Sequence, residues 1–129
     1  MIEAGIRGRL ETIVDERTTA AAVGSGLVEV FATPMMVALM ERTCHTSVAP
    51  FLDDGQTTVG TLVAMSHTAV TPKGMKVWCE LELTEVDGRR LVFAVSAHDE
   101  CGLIGEGRHE RFVVNKDKFQ QKAESKRAQ

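Results

Sequence analysis

The spacing of apolar positions changes along this chain, and each change predicts an element. From about Arg9 to Thr19 the pattern alternates, with Leu10, Thr12, Val14 and Glu16 on one side and Ile13 and Asp15 on the other, which predicts a first strand. Residues Ala20 to Gly26 are small and Gly-rich and read as a loop. The pattern then becomes continuous through Met35, Met36, Val37, Ala38, Leu39 and Met40. Thr33 before this run is a good N-cap, and Pro34 suits the first helical position, where its missing N–H costs nothing. Apolar character covers almost the whole circumference, so the helix is expected to be buried on most sides. It should end near Ala49, because Pro50 disfavours helix in the residue before it.

Period two returns after the Asp53-Asp54-Gly55 turn. Thr57 to Thr71 reads as a long strand with Val59, Thr61, Val63, Met65 and His67 on the inner face. Met75 to Val86 puts Met75, Val77, Cys79, Leu81 and Leu83 inward, and Leu91 to His98 does the same with Leu91, Phe93, Val95 and Ala97. Asp87-Gly88 between them is a hairpin signal. Leu103 to Val114 is the last strand, and a short polar surface helix is expected after Asn115. An antiparallel meander with one nearly all-apolar helix to cover is an α+β class. A five-stranded sheet curled around that central helix, the hotdog fold, meets both demands. One domain over residues 1–115 and a polar tail over 116–129 are expected.

Composition narrows the partners. The net charge is -3, so no broad basic surface is expected and nucleic acid is disfavoured as a partner. Three cysteines with no C-x-x-C spacing, no leader-like start and no span-length apolar stretch point to a reduced, cytoplasmic setting without membrane partners.

Two ionisable residues stand out. Glu41 follows the most apolar run of the chain, where a carboxylate is costly unless partnered. It either faces a solvated stripe beside Arg42 or is a functional carboxylate. His67 shares its strand face with Val63 and Met65, where a lone histidine is more often a satisfied core residue than a catalyst. If the strand packs on the helix, Glu41 and His67 are expected to meet, forming a general-base or nucleophile unit. Thr33 is explained as a cap. Eight helical residues separate it from Glu41, about 12 Å of rise, so the two touch only if the helix starts later or a second subunit completes the site. In Gly105-Glu106-Gly107-Arg108-His109-Glu110-Arg111, the glycines suggest a bulge or a close backbone approach. Glu106, Arg108 and Glu110 face out. His109 is read as structural, and Arg111 as an ion-pair residue or a binder of ligand carboxylate or phosphate. Glu41 and His45 have metal-compatible helical spacing without a third ligand. Cys44, three residues after Glu41, reads as a small core residue that could lie close to the site.

At these residues the chain resembles the fluoroacetyl-CoA thioesterase family of hotdog thioesterases. The blocks are Val30-Phe31-Ala32-Thr33, Met36-Val37-Ala38-Leu39-Met40-Glu41, Val48-Ala49-Pro50-Phe51-Leu52, Gly60-Thr61, Ser66-His67-Thr68-Ala69, Thr71-Pro72 with Gly74, Val95-Ser96-Ala97-His98-Asp99, and Gly105, Gly107 with His109-Glu110-Arg111. The resemblance implies hydrolysis of an acyl-CoA thioester. Glu41 would be nucleophile or general base, His67 acid/base, Thr33 a hydrogen-bond partner, and Gly60 the backbone approach to the substrate carbonyl. It implies no metal or redox cofactor and a homodimer with sites near the interface, where Trp78 on an outward strand face is a residue to bury. The segment Ala20 to Val30 is short and lacks aromatic residues, so a short acyl or small aryl-acyl CoA is the expected substrate. Lys73, Lys76 and the basic tail from Lys116 are phosphate candidates. A hydratase or dehydratase on the same scaffold, or a non-catalytic acyl-CoA binding module, are the alternatives.

Overall fold

The computed structural model describes residues 2–128. Its elements are β1 (Arg7–Ile13), a one-turn helix α1 (Ala20–Val23), the central helix α2 (Thr33–Val48), β2 (Gln56–His67), β3 (Lys76–Asp87), β4 (Arg90–Asp99), β5 (Gly102–Asn115) and α3 (Lys116–Glu124). The five strands form one antiparallel sheet in the order β1-β3-β4-β5-β2. The sheet wraps one side of α2, the hotdog arrangement expected from the pattern.

Alternation builds the core. Val77, Cys79, Leu81 and Leu83 of β3 and Leu91, Phe93, Val95 and Ala97 of β4 are buried against Met36, Leu39, Met40, Cys44 and Val48 of α2. Each of the Val, Leu, Phe and Met side chains among them is worth on the order of 1.5–3 kcal/mol relative to exposure. The β3–β4 hairpin closes through Gly88 at φ +60°, a left-handed position that glycine reaches without strain.

Several expectations need correction. The first strand runs from Arg7 to Ile13 rather than to Thr19. Asp15 stops it, because its side chain accepts from Arg17 N (2.9 Å) while its own N–H donates to Thr18 Oγ1 (3.1 Å), a local turn that competes with strand pairing. Only β3, β4 and β5 form a meander. β2 pairs with β5, because the chain after His67 crosses the start of α2, where Phe31 N–H donates to Thr71 O at 2.8 Å.

The inner face of β2 also changes hands midway. The register with β5 slips between Gly60 and Leu62, leaving Thr61 bulged. Thr58 and Gly60 therefore face inward before the slip and Val63, Met65 and His67 after it. Val59 does not share their face, because it pairs with the outward Phe112.

The cap of α2 is Ala32, with no side-chain bond, and Thr33 is already helical. The helix is also less enclosed than its composition suggested. Ala38, Arg42 and Thr46 are exposed, and Val37, Glu41 and His45 are half-buried. No helix among the described residues is long and apolar enough to cross a membrane.

Candidate active site

Helix α2 lies alongside β2 and runs against it, so that Thr33 sits by His67 and Glu41 by Gly60. Thr33, Val37, Glu41 and His45 recur every four residues and form one stripe on the β2 side of the helix. The candidate polar residues occupy two stations on it.

The first station is at the N-terminus of α2. Thr33 Oγ1 and His67 Nδ1 are 2.7 Å apart. Because Thr33 is the first helical residue and caps nothing, its hydroxyl is committed to the imidazole. The edge of the buried Phe31 ring stands against His67, with centroids 6.4 Å apart at 75°. His67 Nε2 is buried and has no hydrogen-bond partner among the described residues. Burial lowers the pKa of the imidazole from its ordinary 6.5, which favours the neutral form that can take a proton. Gly105 is paired with His67. A Cβ there would strike the Ser66 carbonyl and lie 2.8 Å from Met36 Sδ, so glycine is what lets this end of the sheet close on the helix.

The second station is two turns further along α2. The Glu41 side chain keeps 41% of its exposure and lies 3.5 Å, from Oε2, to Arg111 Nη1. It also lies over Gly60, where a Cβ would stand 2.7 Å from Oε2 and 3.3 Å from His109 Cε1. A methyl at Gly60 would thus displace the Glu41 carboxylate and press on the His109 ring. Arg111 keeps 8% of its side-chain exposure, and the protein uses its donors: Nε to Thr58 Oγ1 (2.8 Å), Nη2 to Thr58 O (2.9 Å) and Nη1 to His109 Nε2 (3.2 Å). Of its two expected roles, the geometry matches the ion pair. Burial pushes the Cys44 thiol up to about 12, so at neutral pH it is neither thiolate nor nucleophile.

The two stations do not meet within one chain. The imidazole of His67 is bonded to Thr33, and the expected direct Glu41–His67 contact is absent among the described residues, because α2 is regular from Thr33 to Val48 and the residues stand eight positions apart. Thr58 and the Leu62 carbonyl, which accepts from His109 Nδ1 at 2.7 Å, were not singled out by sequence. The signal available was the break of alternation at Gly60-Thr61. The remaining candidates lie apart. Trp78 is stacked on His98 (5.7 Å, 14°) under Arg9 on the outer face, at the far side of the sheet from β2. Lys73 and Lys76 face Glu29 and Glu11, each at 3.6 Å.

Comparison with known proteins joins this geometry to a family. The family model described as fluoroacetyl-CoA-specific thioesterase (FlK) matches residues 14–117. The fluoroacetyl-CoA thioesterase of Streptantibioticus cattleyicolor is 48% identical over 98 residues, 76% of this chain and 70% of that protein. A solved structure of a fluoroacetyl-CoA thioesterase superposes with a TM-score of 0.92 at 39% identity over 98% of both chains. A thioesterase superfamily member from Thermus thermophilus gives 0.87 at 32% identity, covering 100% of this chain and 98% of the other. A hot-dog-like protein of Thermanaerovibrio acidaminovorans, 22% identical over 97% of this chain and 93% of its own, shares the fold at 0.88. On the extent of these matches, the chain belongs to the fluoroacetyl-CoA-specific thioesterase family.

Proposed function

We propose that this protein hydrolyses the thioester of a short or small acyl-CoA to the free acid and CoA, using Glu41, His67 and Thr33. The observation that carries the reading is that Thr33, on the same helical stripe as Glu41, is paired with a half-buried, neutral-leaning His67 of β2. Glu41 acts on the thioester carbonyl as nucleophile or as base toward water. In the first case the CoA thiolate leaves an acyl-Glu41 that water then cleaves; in the second, water attacks the carbonyl directly and the thiolate leaves. In both, neutral His67, oriented by Thr33, takes up the proton that the water loses, directly or from Glu41, and delivers it to the departing thiolate. The Gly60 backbone and the N-terminus of α2 favour the negative charge that develops on the carbonyl oxygen.

Homodimerisation completes the site. β2 is an outermost strand, twelve residues long, and a long open edge is a template for pairing. Antiparallel pairing of two β2 strands along these edges brings the Gly60 end of one strand toward the His67 end of the other. Glu41 over Gly60 then reaches the partner's Thr33–His67 pair. Half-exposed Val63 and half-buried Met65 on the inner face are covered by the same step. Three free cysteines suit a cytoplasmic enzyme.

The test is thiol release from a panel of short acyl-, small aryl-acyl- and fluoroacetyl-CoA thioesters. Turnover of at least one is expected, abolished by Glu41→Gln and by His67→Ala with the melting temperature retained. Near-wild-type rates in either variant on a good substrate would sink the reading. Water addition to an enoyl-CoA without CoA release would favour a hydratase instead.

A further inference from the structure

The group that faces Glu41 is itself held by a residue that the thioesterase reading does not use. His109 is fully buried in the sheet, with its ring stacked on Phe93 at 6.1 Å and 27°. Its Nδ1 lies 2.7 Å from the carbonyl of Leu62. A carbonyl oxygen only accepts, so Nδ1 carries the hydrogen and Nε2 presents a lone pair. That lone pair faces Nη1 of Arg111 at 3.2 Å, and the same Nη1 faces Glu41 Oε2 at 3.5 Å. The other side of the guanidinium is fixed by Thr58, through Nε and Nη2.

We propose that His109 is a positioning residue for the thioesterase: held as the neutral Nδ1–H tautomer, it accepts from Arg111 and so aims the guanidinium at the Glu41 carboxylate above Gly60. The inference rests on the proposed role of Glu41. The β2 bulge belongs to the device, because the slip at Thr61 comes just before Leu62, whose carbonyl meets the ring. The charges around His109 are Arg111, Glu41 and Glu110. Burial first, and the Arg111 cation next among the effects of like sign, hold its pKa below the ordinary 6.5. A protonated ring would turn an N–H toward the guanidinium and break the relay. Neutral His109 costs Arg111 no charge, and the cation stays available to Glu41.

The two ring nitrogens have different tasks, and two amide replacements separate them. His109→Gln can place an acceptor near the former Nε2 and keep the bond from Arg111. His109→Asn can keep a donor to the Leu62 carbonyl but cannot reach Arg111. On an acyl-CoA that the wild type turns over, kcat is expected to fall by about 10–100-fold in His109→Asn and His109→Leu and by less than about 3-fold in His109→Gln, with KM little changed. A packing role, or one through Leu62 alone, gives the reverse order, with Asn as good as Gln or better, and overturns the proposal. Thr58→Val, which keeps volume and removes the acceptor of Arg111 Nε, should mimic the Asn variant, and Thr58→Ser should restore activity. Wild-type rates in Thr58→Val would also count against the relay.

A second readout needs no substrate, so it separates this inference from the thioesterase reading. Nitrogen-15 spectra of the four histidine rings, assigned with His109→Gln, should show His109 as the neutral Nδ1–H tautomer at pH 7. They should also show its titration moving toward 6.5 in Arg111→Gln. An Nε2–H or charged ring at pH 7, or no response to Arg111→Gln, overturns the proposal even if thioesters are hydrolysed. The expected spectra with no thiol release from any acyl-CoA would leave the relay standing and remove the proposed reaction.

Discussion

The two ends of the Thr33–Glu41 stripe are built differently. At the N-terminus of α2, Thr33 and His67 form a neutral pair, with one hydrogen bond between them and no partner for His67 Nε2 among the described residues. Two turns further on, Glu41 faces a guanidinium whose bonds to Thr58 and His109 leave it little freedom. One end can accept or deliver a proton. The other sets a carboxylate against a cation that is held in place. About 12 Å of regular helix keeps the two ends apart in one chain.

The comparison breaks first on where the two halves meet. Glu41→Gln and His67→Ala are each expected to be inactive. Mixed after unfolding and refolding together, they should recover about a quarter of wild-type turnover, since half the dimers are mixed and one of their two sites has both native residues. A site confined to one chain recovers nothing. A charge on the open edge of β2, Val63→Lys, should give monomers by sedimentation and lose activity with them.

The next effect concerns the neutral end alone. Thr33→Ala should lower kcat about 10–100-fold by freeing the imidazole, while Thr33→Ser keeps most activity. The helix is unaffected, because its cap is Ala32. Thermal unfolding should therefore stay within about 0.5 kcal/mol of wild type, where loss of a true capping threonine costs about 1 kcal/mol. A capping-sized loss with full activity would return Thr33 to a structural role. At the charged end, Gly60→Ala sets a methyl 2.7 Å from Glu41 Oε2. The carboxylate is the far end of a flexible side chain and can swing away, so stability should change by less than about 1 kcal/mol while kcat falls about tenfold.

The sequence was legible where one periodicity ran unbroken. Alternation holds from Val77 to Leu83 and from Leu91 to Ala97, and its inward residues there are buried, while Met75 lies just before β3 and is half-buried. β2 was harder. Alternation puts His67 on the inner face and Val59 with it, because a single bulged residue reverses the pattern and Gly60-Thr61 is a weak signal of the slip. Thr33-Pro34 is a good capping signature, and it misled by one position because the chain enters α2 already helical at Thr33. Glu41 and His67 were both singled out by their apolar surroundings. Their separation was not legible, since it depends on α2 running antiparallel along β2. Thr58 is not singled out by the sequence, and His109 reads there as structural with nothing to tie it to Arg111. A buried threonine and a strand histidine look like ordinary core until the guanidinium between them is seen.

The smallest expected effect is on stability, and it reaches both ends together. His67 and His109 are each held below the ordinary 6.5 by burial. Between that value and their folded pKa values the unfolded chain binds more protons than the native one, so unfolding becomes easier as pH falls through the window. The contribution of each ring is complete above 6.5 and is lost as pH drops through its folded value. Carboxylates such as Glu110, lowered by their bond with Arg90, act in the same sense but only below about 4.5. Melts at pH 7.5 and 5.5 therefore isolate the histidines. The drop should shrink in His109→Gln and again in His67→Ala, because each variant removes one titrating ring. An unchanged drop in His109→Gln would mean that its ring is not held neutral. Arg111 would then lose the acceptor that His109 Nε2 offers it, and with it the link from the sheet to Glu41.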